Sequence, residues 1–256
     1  MAQASFWDEI RKIPPVTRFL CGSTLAVSLP VMLQIVSPYT VIFVKPLVMK
    51  RLQVWRVFTS FFLGSSGINF IFDLAMLYRN SDALESTHFP GRSADYAWQL
   101  LLTACGILAL NIPLGSFVHT RPLLLALTYL GSALAPPGAQ TSFFGLITFP
   151  IQYLPYALAA LDLIMGGPAA AAQSVTGLVA GHAWWYLIFG GGAGPSTRSL
   201  GSAPGWLKKL LGQRDGVATR LAGTTGGGVH VIPPRTRQPV QETGGHRWGA
   251  GHRLGE

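Results

Sequence analysis

The stretch AAAQSVTGLVAGHAWWYLIF, residues Ala170–Phe189, decides the fold class of this chain. It contains no Asp, Glu, Lys or Arg, and a helix of about 20 apolar residues crosses the roughly 30 Å hydrocarbon core of a bilayer. Within it, Gly177 and Gly181 form a GxxxG pattern, which lets a neighbouring backbone approach closely. We therefore expect a membrane-spanning helix that packs tightly against a partner helix.

Five further stretches of the chain have the same apolar character. They predict spans 1 to 5 at residues 19–37, 57–78, 97–115, 122–136 and 143–165, with 170–189 as span 6. Prolines near the boundaries of spans 4 and 5 prevent the sequence from defining where these two spans end. The sequence thus predicts an all-α membrane protein, a six-span helical bundle over residues 19–190 followed by a disordered tail over residues 191–256.

The composition supports this division of the chain. Of the 256 residues, 49% are hydrophobic and 11% are charged, whereas a typical soluble domain has about 25% charged residues. The net charge is +9, and residues 190–256 hold 17 of the 30 glycines. A single compact water-soluble domain is excluded. Cys21 and Cys105 lie in apolar runs, which leaves neither a disulfide framework nor a zinc site.

The distribution of basic residues predicts the orientation. Basic side chains in residues 1–18 and in the tail place both termini in the cytosol under the positive-inside rule. The first 18 residues also have the spacing of a short interfacial helix, with four apolar side chains on one face: Phe6, Trp7, Ile10 and Ile13. The basic, half-apolar loop over residues 38–56 falls on the far side, so we expect it to lie in the bilayer interface.

An ordered set of short motifs resembles the derlin family, the rhomboid-like pseudoproteases of the endoplasmic reticulum. The motifs are IPPVTR (13–18), VWRVFTSFF (54–62), LESTHFPGRSADY (84–96), YLPYALAALDLIMGG (153–167), GLVAGHAWWYL (177–187) and WGAGHRLG (248–255). The resemblance implies a six-span rhomboid-like fold. It also implies that the loop bearing Trp55 and Arg56 inserts sideways into the membrane and perturbs it.

The resemblance further implies a function in protein quality control. Derlins assist the retrotranslocation of misfolded lumenal and membrane proteins in endoplasmic-reticulum-associated degradation. The implied partners are these clients, an endoplasmic-reticulum ubiquitin ligase complex, membrane lipid and the valosin-containing-protein AAA ATPase. Homo-oligomer formation stays open. No cofactor or metal is expected.

The last residues carry the expected ATPase contact. Trp248 and Leu254 can anchor in apolar pockets, and Arg253 offers a charge to an acidic rim. Gly249 and Gly251 let the extended backbone lie against an edge strand. His252 departs from the larger aromatic residue often found in the family box, so weaker or pH-sensitive binding is expected.

The sequence leaves two other classes of function open. A rhomboid-type serine protease would pair Ser132 in span 4 with His182 in span 6. The Gly-x-Ser-Gly motif of such proteases is missing around Ser132, and its literal match at residues 64–67 lies in span 2. A transporter would use Asp73 and Asp162, but both are expected near span ends. Asp73 is expected to snorkel to the cytosolic surface, and Asp162 is expected near the opposite interface.

The basic tail does not predict nucleic-acid binding. Its Lys and Arg residues are spread widely, and Trp206 is the one nearby stacking partner. Attraction to the anionic cytoplasmic leaflet accounts for them, and the stretch WLKKLL (206–211) is suited to lie on that surface.

Overall fold

The computed structural model describes residues 6–143, 147–190 and 199–213, and these are mostly helical. In chain order the elements are α1 (Phe6–Lys12), α2 (Pro15–Met32), α3 (Pro38–Val41), α4 (Lys45–Arg51), α5 (Trp55–Thr59), α6 (Ile68–Thr87), α7 (Ser93–Asn111), α8 (Thr120–Ala133), β1 (Gln140–Phe143), β2 (Ile147–Pro150), a 3-10 turn (Ile151–Tyr153), α9 (Leu154–Ile188) and α10 (Gly205–Leu210).

Helix α9 consists of two limbs that meet at Gly167. This glycine has a φ of 75°, a left-handed conformation that favours glycine, and Pro168 follows it. The Ser174 hydroxyl donates a hydrogen bond to the Asp162 carboxylate. Twelve residues of straight helix would hold these side chains about 18 Å apart, so the chain reverses at Gly167. We call residues 154–166 the first limb and 168–188 the second limb.

Contacts between helix ends define two ends of the bundle. At the proximal end α2 begins beside the end of α6, since the backbone N–H of Thr17 donates to Glu85 at 2.8 Å. Tyr96 at the start of α7 stacks on Trp184 near the end of α9. At the distal end α2 finishes beside the loop before α6, where the N–H of Gly64 donates to Ser28 Oγ at 2.8 Å.

The core is centred on α8. Ten of its 14 residues are buried, and its leucines fill the space between α2, α6, α7 and α9. The fully buried members are Leu124, Leu125, Leu127 and Leu130. Burying one such side chain contributes about 1.5–3 kcal/mol. Because neighbouring helices cover α8, the bundle holds this short helix at its centre.

Within the described parts of the chain, three helical segments are long and apolar enough to cross a membrane. These are Pro15–Met32, Ser93–Asn111 and Ile151–Ile188, the last containing both limbs of α9. They support a multi-pass helical membrane protein. The crossing of the bilayer by six separate spans stays a prediction.

The structure corrects the helix expected over residues 57–78. Helix α5 ends at Thr59, and α6 runs from Ile68 to Thr87. The Gly-Ser-Ser-Gly sequence interrupts the helix, with Gly67 at a φ of 68°. The polar end of α6 stays helical because its side chains make buried contacts, such as Ser81 Oγ with Tyr96 Oη at 2.9 Å.

The mostly helical fold agrees with the all-α expectation, but β1 and β2 form a two-stranded antiparallel hairpin where span 5 was expected to begin. The described part of the tail departs from the expected disorder as well. Residues 199–213 dock on α7, where Asp95 accepts a hydrogen bond from the N–H of Ala203 at 2.7 Å and Leu207 is buried. The C-terminal box over residues 248–255 lies outside the described residues.

Candidate functional site

Arg56 holds parts of the distal segment together; this name denotes residues 33–67. It is 5% exposed, and its guanidinium donates to the backbone carbonyls of Tyr39 and Ile42, the latter at 3.1 Å. It also donates to Gln53 Oε1 at 2.6 Å and lies 5.3 Å from the centroid of the Tyr39 ring. Arg56 therefore ties α3 to α5 by donating to these two backbone carbonyls.

The distal segment presents apolar side chains to its surroundings. Trp55, next to the buried Arg56, is 54% exposed. Other large apolar side chains of the segment are exposed too: Ile35, Tyr39, Met49, Leu52, Val54 and Phe58. Exposed apolar groups at this density mark contact with lipid or protein, and Trp prefers the headgroup level of a bilayer.

Gly177 and Gly181 bring the second limb of α9 against α8. A Cβ atom at Gly177 would lie 2.7 Å from the Cα of Pro122. One at Gly181 would lie 2.9 Å from the carbonyl oxygen of Ala126. The two backbones thus touch at positions that leave no space for a side chain.

Ser132 and His182, the residues that a protease would need to pair, both have Tyr129 as a partner. The Ser132 hydroxyl donates to the carbonyl of Tyr129 at 2.8 Å. The Tyr129 hydroxyl lies 2.7 Å from His182 Nδ1, in the place that a nucleophile would occupy. Among the hydrogen bonds of the described residues, Ser132 and His182 are not joined.

A cluster of charged side chains lies at the distal end, between three helical segments. Asp73 comes from α6, Arg121 from the first turn of α8 and Asp162 from the first limb of α9. One terminal nitrogen of Arg121 lies 2.6 Å from Asp73 Oδ1, and the other bonds to Asp162 Oδ1. We call these three residues the distal triad.

Each acid of the distal triad also accepts a hydroxyl. Ser65 donates to Asp73 Oδ2 at 2.6 Å, and Ser174 donates to Asp162 Oδ2. The two acids are buried, whereas the Arg121 side chain is 34% exposed. The triad lines a cleft of about 350 Å³, which falls in the range of small-ligand sites. Among the described residues, no group of three or more His, Cys, Asp and Glu side chains could hold a metal ion.

The distal triad corrects the expectation for the two acids. They do not lie at opposite interfaces but meet at the distal end, and the guanidinium of Arg79 donates to Thr141 Oγ1 on β1 at 2.9 Å. The two acids share Arg121, a residue that the sequence analysis passed over. One feature of the sequence could have identified Arg121: it is a single Arg directly before an apolar run, and acids within spans require a cation.

His119, directly before α8, is a second polar group at the distal end. Its side chain is fully buried between the rings of Phe43 and Phe61, whose centroids lie 5.4 and 5.2 Å away. Its Nδ1 is 3.1 Å from Ser60 Oγ, and its Nε2 has no hydrogen-bond partner among the described residues. Burial lowers the pKa of His119 to about 4 because it penalises the charged ring.

The helical bundle with its apolar spans and buried charged cluster defines the class of a multi-pass helical membrane protein. A model of the Der1-like family matches residues 13–202, and the chain belongs to that family. Derlin-1 of Mus musculus is 30% identical over 256 residues, covering 97% of this chain and 98% of that protein. Derlin-1.2 of Zea mays is 30% identical over 207 residues, covering 80% and 84%. Derlin-1 of Homo sapiens is 29% identical, covering 97% and 98%. The family suggested by the motifs is thereby confirmed.

Proposed function

We propose that this chain is a non-catalytic component of endoplasmic-reticulum-associated degradation. It assists the retrotranslocation of misfolded lumenal and membrane proteins across or out of the membrane. The observation that carries the proposal is the similarity to Derlin-1 over 97% of the chain, together with the family match over residues 13–202. In this proposal the protein resides in the endoplasmic reticulum membrane with both termini in the cytosol.

The membrane body acts by disturbing the bilayer next to it. The distal segment, on the lumenal side in this orientation, buries its apolar side chains in the interface while Arg56 keeps its shape. The central helix α8 is only 14 residues long, about 21 Å, which is shorter than the hydrocarbon core. A locally thinner bilayer lowers the cost of moving polar chain through it.

The tail supplies the link to the pulling machinery. Trp248, Gly249, Gly251, Arg253 and Leu254 recruit the valosin-containing-protein AAA ATPase, whose ATP hydrolysis provides the energy. A ubiquitin ligase complex marks the emerging client. The described start of the tail supports such a link, because residues 199–213 attach it firmly to α7.

The protease alternative has little support in the geometry. Ser132 and His182 each bond to Tyr129, and no hydrogen bond among the described residues links this serine to this histidine. The protein is accordingly proposed as a pseudoprotease.

The transporter alternative has one observation in its favour, since Asp73 and Asp162 meet at Arg121. An ion path would have to continue along α8 towards the proximal end. The inward-facing side of α8 is filled instead by buried leucines, including Leu123, Leu127 and Leu130. This favours a local site over a path.

The tail proposal is tested by deleting residues 248–256 from the full chain. The matched control deletes nine residues from the glycine-rich spacer, 221–229. Both variants are expressed in cells and extracted in mild detergent, and the AAA ATPase that co-purifies is measured together with the half-life of a misfolded membrane client.

The terminal deletion is expected to abolish ATPase co-purification and to prolong the half-life of the client. The spacer deletion is expected to change neither. If the ATPase co-purifies equally well with the chain shortened at residue 247, the assignment of the tail fails.

A further inference from the structure

The distal triad has an unequal number of charges. Two carboxylates, Asp73 and Asp162, share the single guanidinium of Arg121. Among the residues that line the cleft, these three are the charged ones, so one negative charge there has no matching cation. The hydroxyls of Ser65 and Ser174 satisfy hydrogen bonds but add no charge.

This excess charge lies in an apolar environment. Asp73 is 8% and Asp162 is 7% exposed, and α9, which carries Asp162, belongs to a segment apolar enough to cross a membrane. An uncompensated charge costs several kcal/mol when it is removed from water, and a nearby cation recovers part of that cost. The cleft therefore favours a positively charged group over a neutral or negative one.

The walls of the cleft suit a long side chain that comes from the membrane. Phe72 on α6 and Met165 on the first limb of α9 line it and are 39% and 74% exposed, so they offer apolar contact to a helix lying outside. Asp73 lies five residues into α6, about 7.5 Å along the helix. Lys and Arg stems can cover such a distance while their apolar part contacts the walls.

We propose that this cleft binds the ammonium or guanidinium group of a Lys or Arg side chain carried on the membrane segment of a client. The proposal rests on the proposed function and names a class of client for it. A basic residue left in a span is costly unless it finds an acid, so it marks a membrane protein that has failed to assemble. The distal triad supplies that acid, with Arg121 holding both carboxylates in place.

The test uses the purified full-length protein in phosphatidylcholine nanodiscs. Two labelled membrane-spanning peptides of Leu and Ala differ at one position, which is Lys in one and Gln in the other, and their binding is measured by energy transfer. The wild type is expected to bind the Lys peptide about tenfold more tightly. Asp162→Asn neutralises the cluster, because Arg121 then balances Asp73, and should bring the ratio close to one.

The matched control is Asp82→Asn, the same change on the same helix as Asp73 but outside the cleft. It is expected to keep the tenfold ratio. The thermal unfolding midpoint of each variant verifies that it is folded, and Asp73→Asn provides a second neutral cluster if Asp162→Asn fails to fold.

Three outcomes overturn the proposal. The first is equal binding of both peptides by the wild type, and the second is a ratio that persists in both folded Asp→Asn variants. The third is loss of the ratio when phosphatidylethanolamine is added, because a lipid amine would then be the occupant. No ATPase is present, so this result is independent of the tail deletion. Selective binding of the Lys peptide together with an inert tail would support the site and refute the ATPase-recruiting part of the proposed function.

Discussion

Two groups of buried carboxylates lie at opposite ends of the bundle and are stabilised in different ways. At the proximal end Glu85 is 2% exposed and accepts three hydrogen bonds, from the N–H of Val16 at 3.1 Å, the N–H of Thr17 at 2.8 Å and Thr17 Oγ1 at 2.9 Å. At the distal end Asp73 and Asp162 both pair with the guanidinium of Arg121 and line a cleft of about 350 Å³.

The difference separates a structural site from a site that can bind. Glu85 satisfies the N-terminal N–H groups of α2, and the positive end of that helix balances its charge without any cation. Protein groups bond to the oxygens of Glu85 and to those of Asp73 and Asp162 alike, so the contrast lies in the balance of charge and in access from the cleft. The two acids of the distal triad depend on a cation for their charge balance, but they share a single guanidinium. Both acids line a cavity.

The largest expected effect comes from changing the proximal carboxylate. Glu85→Gln presents an NH₂ group to donors at the start of α2 and removes the charge beside the helix end. The loss of charged hydrogen bonds to buried donors is expected to lower the free energy of unfolding by about 3–4 kcal/mol. Thermal unfolding in detergent, followed by circular dichroism, measures this loss.

The same carboxylate-to-amide change at Asp162 serves as the comparison. It leaves Arg121 balanced by Asp73, so no buried charge loses its partner, and the free energy of unfolding is expected to change by no more than about 1 kcal/mol. Equal losses at Glu85 and Asp162 would erase the distinction between the two ends.

A loss of stability of intermediate size is expected from a change at the contact between α8 and the second limb of α9. Gly177→Val places methyl groups against the backbone of Pro122, and α8 and the second limb of α9 must then move apart. Overpacking of this kind costs about 2–3 kcal/mol, and we expect less folded protein by size-exclusion chromatography.

Gly22→Ala on α2 is the matched control, because a Cβ at Gly22 would meet nothing within 4 Å. Alanine favours the helix by up to about 1 kcal/mol over glycine, so this variant should be as stable as the wild type or slightly more stable. A loss at Gly22 as large as that at Gly177 would refute tight packing as the cause.

Sequence patterns revealed the parts of the molecule that depend on local composition. Apolar runs located the helical segments, and the GxxxG spacing marked the glycines that contact α8. The hairpin over β1 and β2 was missed because its residues are apolar enough to read as the start of a span. The helical end of α6 was missed because its polar side chains bond to other helices, which no single segment reveals.

The site required the tertiary fold. Asp73, Arg121 and Asp162 are far apart in the chain, and neither spacing nor composition predicts that they meet. The balance of charge in the cleft follows only once Arg121 is placed between the acids. Arg56 is a comparable case, because its sequence neighbours do not show which carbonyls its guanidinium will reach.

The last expected effect depends on pH and concerns His119, whose Nε2 lacks a partner among the described residues at the distal end. Burial lowers its pKa to about 4 from an ordinary value near 6.5. As the pH falls from about 6.5 to about 4, the unfolded chain takes up a proton that the folded protein does not, so stability falls over this window. The wild type is expected to lose about 2–3 kcal/mol across it through this group. His119→Gln cannot titrate, so thermal unfolding measured at both ends of the window should show a smaller loss for the variant. An equal loss in both proteins would mean that His119 is as readily protonated in the fold as in water, and the contrast between the ends would then depend on the distal triad alone.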